Sequence, residues 1–270
     1  QAMIKDIRHF FSLKADPFPQ DIATGNLYLL PSLVPMQQRI QFAISMRSFS
    51  LVTGDVGSGK STSLRYVVDN LAKGEHEVLM FTAGSYTMVE FLRQVLLCFG
   101  IVSNSYKIPL MMRQIQEQLL EINGRRVSPV LVIDEAHLMR AEIFSYVHLL
   151  TQHKLDSSPL MSTILCGQEA LIEKLMTPDA KPLASRIMGR SHLEAIRKEV
   201  MEEYIAHHMR LAGAKREIFS DAAIMAIHQG SGGLLRRANN LARGAMLAAS
   251  MEKAQIVAPE HVRMALTEVI

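Results

Sequence analysis

Gly54-Asp55-Val56-Gly57-Ser58-Gly59-Lys60-Ser61 is a complete G-x-x-x-x-G-K-[ST] phosphate loop. Ahead of it, Phe49-Ser50-Leu51-Val52-Thr53 has the composition of a buried strand. Behind it, Leu64, Val67, Val68 and Leu71 share one face of a helix expected over Thr62–Leu71. A glycine-rich turn with a chance Lys-Ser would lack these flanks. The glycines let the backbone aim successive N–H groups at phosphate oxygens, and the helix N-terminus adds partial positive charge. The candidate nucleotide-binding residues are therefore Gly54, Asp55, Val56, Gly57, Ser58, Gly59, Lys60, Ser61 and Thr62. Lys60 is expected to reach the β- and γ-phosphates and Ser61 Oγ to ligate Mg²⁺.

Downstream, Pro129-Val130-Leu131-Val132-Ile133-Asp134-Glu135 is a continuous apolar run ending in two carboxylates. Such a run suits a central parallel strand buried on both faces. Its end has the form of a Walker B segment, in which Asp134 holds Mg²⁺ and Glu135 is the general base for an attacking water. The interval between Lys60 and Asp134 has room for a strand, Glu77–Thr82, and two helices, Met88–Phe99 and Lys107–Ile122. That strand is expected between the two motif strands. Asp134-Glu135-Ala136-His137 also spells the name of a helicase family. A helicase needs a second motor core with its own arginine-rich motif, for which no length is left, so His137 is read as an ordinary helix-start residue.

Further along come a helix over Ala141–His153, a strand over Leu160–Cys166, and a short fifth strand expected over Ser191–Ile196. Beyond Lys198 the pattern is helical throughout: Glu199–Ala212, Asp221–Gln229, Leu234–Met251 and Pro259–Val269. Strands alternating with helices, then helices alone, predict an α/β domain followed by an all-α lid. The expected segments are an N-terminal arm and helix at 3–47, the nucleotide-binding domain at 48–197 and the lid at 198–270. The arm, rich in Phe and broken by Pro17, Pro19, Pro31 and Pro35, is expected to pack over the nucleotide pocket.

Composition narrows the class. The 270 residues are 49% hydrophobic and 20% charged, as in ordinary globular proteins. No apolar run approaches the ~20 residues of a membrane span. Cys98 and Cys166 are the only cysteines, in no metal or redox spacing, and read as reduced core thiols of a cytoplasmic protein. A net charge of +3 permits an anionic partner without requiring one. Three positions suit an ATPase that works as a ring. Gln168, after the fourth strand and beside the second, could orient water near the γ-phosphate. Arg186, before the fifth strand, could reach a neighbour's γ-phosphate in trans, with Arg190 as the alternative. Arg236 or Arg237, opening a lid helix, could touch the phosphates.

Taken together, Gly54–Ser61, Val130–Glu135, Leu165–Gln168, Leu183–Ile187 and Gly233–Leu241 resemble an AAA+ ATPase of the ExeA type. Phe10-Phe11-Ser12-Leu13-Lys14-Ala15-Asp16-Pro17-Phe18 resembles the F-F-G-L-x-x-x-P-F opening of that family, so the likeness runs over essentially the whole chain. The resemblance implies a P-loop NTPase fold with a five-stranded parallel sheet and helical lid, ATP hydrolysis, and homo-oligomerisation into a ring or filament. It implies that Gln168 is sensor 1, Arg186 the arginine finger and Arg236 sensor 2. The family has Pro before the sensor 2 arginine where this chain has Leu235, which leaves Arg237 open. Two branches share this core. One looks like the TniB, TnsC and MuB transposition regulators, implying double-stranded DNA and a transposase as partners, no membrane, and Lys107, Arg113, Arg125 and Arg126 as candidate DNA contacts. The other is an assembly ATPase acting on a secretion or envelope complex without DNA. A chain that ends at Ile270 after the lid is expected to fall in the first branch.

Overall fold

The computed structural model describes residues 7–154 and 157–268. The start of the arm at 3–6 and the expected helix end at Val269 lie outside the described residues. The chain forms two compact units. One holds Pro31–Gly54 and Lys60–Leu193; the other holds residues up to Leu30, Asp55–Gly59, and the chain from Glu194 onward.

The first unit is built on five parallel strands: β1 (Phe49–Gly54), β2 (His76–Thr82), β3 (Ser128–Asp134), β4 (Ser162–Gly167) and β5 (Ile187–Leu193). Their spatial order is β2-β3-β4-β1-β5. Side chains alternate between faces along each strand. Leu131 and Ile133 of β3 enter one core with Phe91, Leu92, Met111, Ile115 and Phe144 from the covering helices. Val130 and Val132, also fully buried, face the other way. Both faces are therefore dry, which explains the near-continuous apolar reading of β3. The helices of this unit are α1 (Leu33–Ser45), α2 (Lys60–Asp69), α3 (Met88–Cys98), α4 (Ile108–Gly124), α5 (Ala141–Thr151) and the short α6 (Ala170–Leu175) and α7 (Lys181–Ala184).

Four expectations need correction here. The strand lying between β1 and β3 is β4, not β2; β2 takes the sheet edge beside β3. Gln168 accordingly follows a strand flanked by β3 and β1 and is not beside β2. The fifth strand begins at Ile187 rather than Ser191, so Arg190 lies within it. Its inward positions are only Gly189, Ser191 and Leu193, with Met188, Arg190 and His192 exposed, so the apolar signal was weak. Pro35 falls inside the first turn of α1, where a missing N–H costs nothing.

The second unit is helical, with α8 (Lys198–Leu211), α9 (Asp221–Ser231), α10 (Leu235–Met251) and α11 (Pro259–Glu268). Its core joins Met201, Ile205 and Met209 to Ile227, Leu241, Met246 and Val262. Ala238, Ala242, Ala245 and Ala249 give α10 a slim face that admits its neighbours closely. Ser220 caps α9 through Ala223 N–H, and Gly232 ends that helix in the left-handed region. The arm belongs to this core: Ile7, Phe11 and Phe18 are buried in it, and Phe18 stacks on His208 with ring centroids 5.1 Å apart. The aromatic residues of the arm are buried among these helices, while its Leu30 Cδ1 lies 3.8 Å from where a Cβ on Gly59 of the phosphate loop would sit.

Candidate functional site

The phosphate loop keeps the conformation its glycines allow. Gly57 and Gly59 have φ of 85° and 95°, the left-handed region that disfavours a side chain. Asp55 and Val56 are exposed, Gly57 and Gly59 half-buried, and Ser58 and Lys60 buried. Ser61 and Thr62 open on the surface at the start of α2. Ser58 Oγ is buried with no hydrogen-bond partner. A glycine turn in the left-handed region with an orphaned buried hydroxyl fits a nucleotide's phosphates.

Residues 55–59 pack within the helical unit. Arg236 N–H donates to Gly57 O at 3.2 Å. A Cβ on Gly57 would lie 3.0 Å from Arg236 Cβ, and one on Gly59 would lie 3.0 Å from Leu235 Cδ1. The start of α10 thus rests on the loop, with Arg236 in contact and both Arg236 and Arg237 exposed.

In the sheet, the ends of β1, β4 and β3 are level: Thr53 pairs with Gly167, and Ile133 with Leu165. Asp134 therefore ends its strand beside Cys166, and burial pushes the Cys166 thiol up, with Asp134 adding to the effect and Lys60 opposing it. Glu135 acts on the same thiol. The level strand ends bring Asp134 and Glu135 to the sheet edge at which β1 runs into the loop before Lys60, the edge where open α/β sheets bind ligands.

Glu135 has a left-handed backbone, φ 53° and ψ 32°. Non-glycine residues held there cost about 1–3 kcal/mol and persist only where the surroundings over-determine them. Here Asp134 Oδ1 accepts the Glu135 N–H at 2.8 Å, and Glu135 O accepts from Leu138 N–H at 2.9 Å in a tight turn over Ala136–Leu138. The turn also fixes His137, whose Nδ1 lies 3.3 Å from Glu135 Oε2 and 3.3 Å from Gln168 N. Sequence reasoning passed over His137 as an ordinary residue. The signal that could have found it is its two-residue offset from a carboxylate at a strand end.

Gln168, half-buried, directly follows β4 and so joins this group. Arg186 does not: it immediately precedes β5, at the edge where the strands begin. Its carbonyl accepts from Ser48 Oγ and from Phe49 N–H at 3.4 Å. Of the candidate DNA contacts, Arg113 pairs with Glu117 at 2.9 Å and Arg125 with Glu77 at 3.0 Å. Lys107, at the residue before α4, makes no capping side-chain bond, and both it and Arg126 are exposed. Among the described residues no helix is long and apolar enough to cross a membrane.

Residues 44–176 match the AAA domain family. General secretion pathway protein A of Aeromonas hydrophila is 26% identical over 262 residues, which cover 96% of this chain and 48% of that protein. The chain thus spans about half the length of this curated relative. Cdc6p from Pyrobaculum aerophilum superposes with a TM-score of 0.72 at 14% identity, over 97% of this chain and 71% of that one. The Aeropyrum pernix ORC1 protein in complex with DNA gives 0.69 at 16%, covering 90% and 67%. The Thermotoga maritima RuvB Holliday junction branch migration motor gives 0.54 at 17%, covering 86% and 68%. The similarity to transposition regulators has no counterpart among these proteins.

Proposed function

We propose that this chain, a P-loop protein of AAA+ fold similar to general secretion pathway protein A, carries out Mg-dependent hydrolysis of ATP, with Glu135 as the base. The observation that carries it is the level ends of β1, β4 and β3, which set Asp134 and Glu135 at the same sheet edge as the phosphate loop that precedes Lys60. Lys60 binds the β- and γ-phosphates, and backbone N–H groups of Gly54–Thr62 cradle them. Ser61 and Asp134 would hold the Mg²⁺, which would supply neutralising charge to the phosphates. Glu135 accepts the proton of the attacking water, Gln168 orients that water, and Arg236 reaches the phosphates from α10. Oligomerisation with ATP is part of the proposal, since Arg186 lies away from its own strand ends. The protein driven by this ATPase is taken to be a secretion or envelope assembly, by likeness to general secretion pathway protein A. DNA binding has less to rest on: two of its four candidate cations are engaged by carboxylates, and the ORC1 likeness is one of fold.

The test is Glu135→Gln. ATP affinity by calorimetry should stay within about twofold, while phosphate release falls by about 10²–10⁴-fold, the usual worth of a general base. Retained turnover would move the base elsewhere. Duplex DNA retained on filters only with ATP, at low salt, would instead restore the transposition reading.

A further inference from the structure

His137 has no part in the chemistry above, yet its imidazole faces two groups at once. Its side chain is 10% exposed. Nδ1 stands 3.3 Å from Glu135 Oε2, and the Gln168 N–H points at the same nitrogen across 3.3 Å. One nitrogen cannot serve both. With the proton on Nδ1 it donates to the carboxylate and cannot accept from Gln168. With the proton on Nε2 it accepts from Gln168 and turns a lone pair toward Glu135.

The ring has little freedom to step aside. Lys174 Nζ donates to His137 O and, at 2.6 Å, to Met139 O, which pins the turn from outside. On the sheet side Gly167 is at the limit of approach: a Cβ there would lie 3.1 Å from both His137 N and Nδ1. Glu135 is 36% exposed, so without a partner its carboxylate has solvent to turn into.

We propose that His137 is the positioning residue of Glu135. Its Nδ1–H donates to Oε2 and fixes the carboxylate, while the competing Gln168 N–H ties that bond to the end of β4. When the β4 end closes on the imidazole, Nδ1 loses its proton to solvent and accepts from Gln168, Nε2 takes up a proton from solvent, and Glu135 is released. Gln168 is the residue assigned to the attacking water, so its position is relayed to the base through one ring. This inference rests on reading Glu135 as the base.

The experiment uses the full chain. In His137→Leu, kcat for ATP hydrolysis should fall about 10–100-fold, the range for losing an orienting partner, with KM and calorimetric ATP affinity within about twofold. His137→Asn keeps a polar atom in place of Nδ1 and should recover kcat to within about threefold of the parent. His137→Leu combined with Glu135→Gln should be no slower than Glu135→Gln alone. A separate readout is imidazole nitrogen NMR: Glu135→Ala should shift His137 toward the Nε2–H tautomer. Unchanged kcat in His137→Leu, fully additive losses in the double variant, or unchanged nitrogen shifts would each overturn the proposal. If His137→Leu does not fold, His137→Asn and the nitrogen shifts decide alone. Turnover retained in Glu135→Gln would remove the base reading itself, a result visible without any His137 variant.

Discussion

Lys60 is 6% exposed, within a loop whose neighbours Asp55, Val56, Ser61 and Thr62 all face solvent. A buried ammonium at the start of α2 gains from an anionic ligand more than an exposed one, because the screening water is gone. Lys60→Ala should weaken ATP binding about 10–100-fold by calorimetry, as for losing a charged hydrogen bond of about 1.5–3 kcal/mol. Unchanged affinity would count against its role. A second residue gives a pH signature. Burial, with a smaller push from His207, lowers the pKa of His208 from 6.5 to about 4. Its ring lies between Phe18 and Tyr204, and Nδ1 has no partner. The unfolded chain therefore takes up the proton first as pH falls below about 6.5. The stability owed to neutral His208 is full above that value and lost on the way down to about 4, a change on the order of 3 kcal/mol. Urea midpoints measured between pH 7 and pH 4.5 should fall less steeply in His208→Leu than in the parent. Parallel slopes would show that other groups carry the acid sensitivity.

At the scale of elements, the loops and caps follow local rules, while the edge strand does not. Thr87 and Glu90 form a reciprocal capping box at the start of α3, and this bonding holds the Glu90 carboxyl below its usual range. Strand β5 is different. Its pairing with β1 slips between Phe49 and Ser50, so that Ile187 and Gly189, not adjacent residues, face them. Gly189 permits this: a Cβ there would meet Arg39 O of α1 at 2.8 Å and Ser50 Oγ at 3.2 Å. A glycine inside a strand marks such a close backbone approach. Gly189→Ala should therefore cost about 1–3 kcal/mol of stability, the usual range for overpacking, read as a lower denaturant midpoint. No loss would mean that α1 can retreat from the sheet without penalty.

For the whole molecule the decisive residue is Arg186. Because all five strands are parallel, a residue just before β5 lies at the opposite sheet edge from Asp134 and Gln168. Seven strand residues span about 20 Å, beyond the reach of any side chain. Arg186 thus cannot serve the site of its own chain, and a trans role requires a shared one. Specific ATPase activity should rise with protein concentration. Arg186→Ala should bind ATP nearly normally and lose about 10³–10⁵ of turnover, as for arginine fingers elsewhere. Mixed with Glu135→Gln, it should regain part of the activity that neither has alone, since one interface then holds an intact base and an intact finger. No recovery in mixtures that co-assemble by sizing would confine Arg186 to structure and bring Arg190 forward.

By itself the sequence determined the phosphate loop, the Asp134–Glu135 strand end, the α/β part and the helices after it. Those features are local: glycines at fixed spacing, an apolar run of strand length, and helical periodicity each act through neighbours in the chain. Tertiary structure alone decided which strand stands between β1 and β3. Strand order depends on how crossover helices pack on both faces, which no single strand encodes. It also decided where the arm goes, because Phe11 and Phe18 would have satisfied any apolar surface and the helical core offered one. And it decided His137. Nothing in four consecutive residues reveals that Gln168, 31 positions later, aims its N–H at the same imidazole nitrogen as Glu135; only the parallel pairing of β3 with β4 brings the two strand ends level.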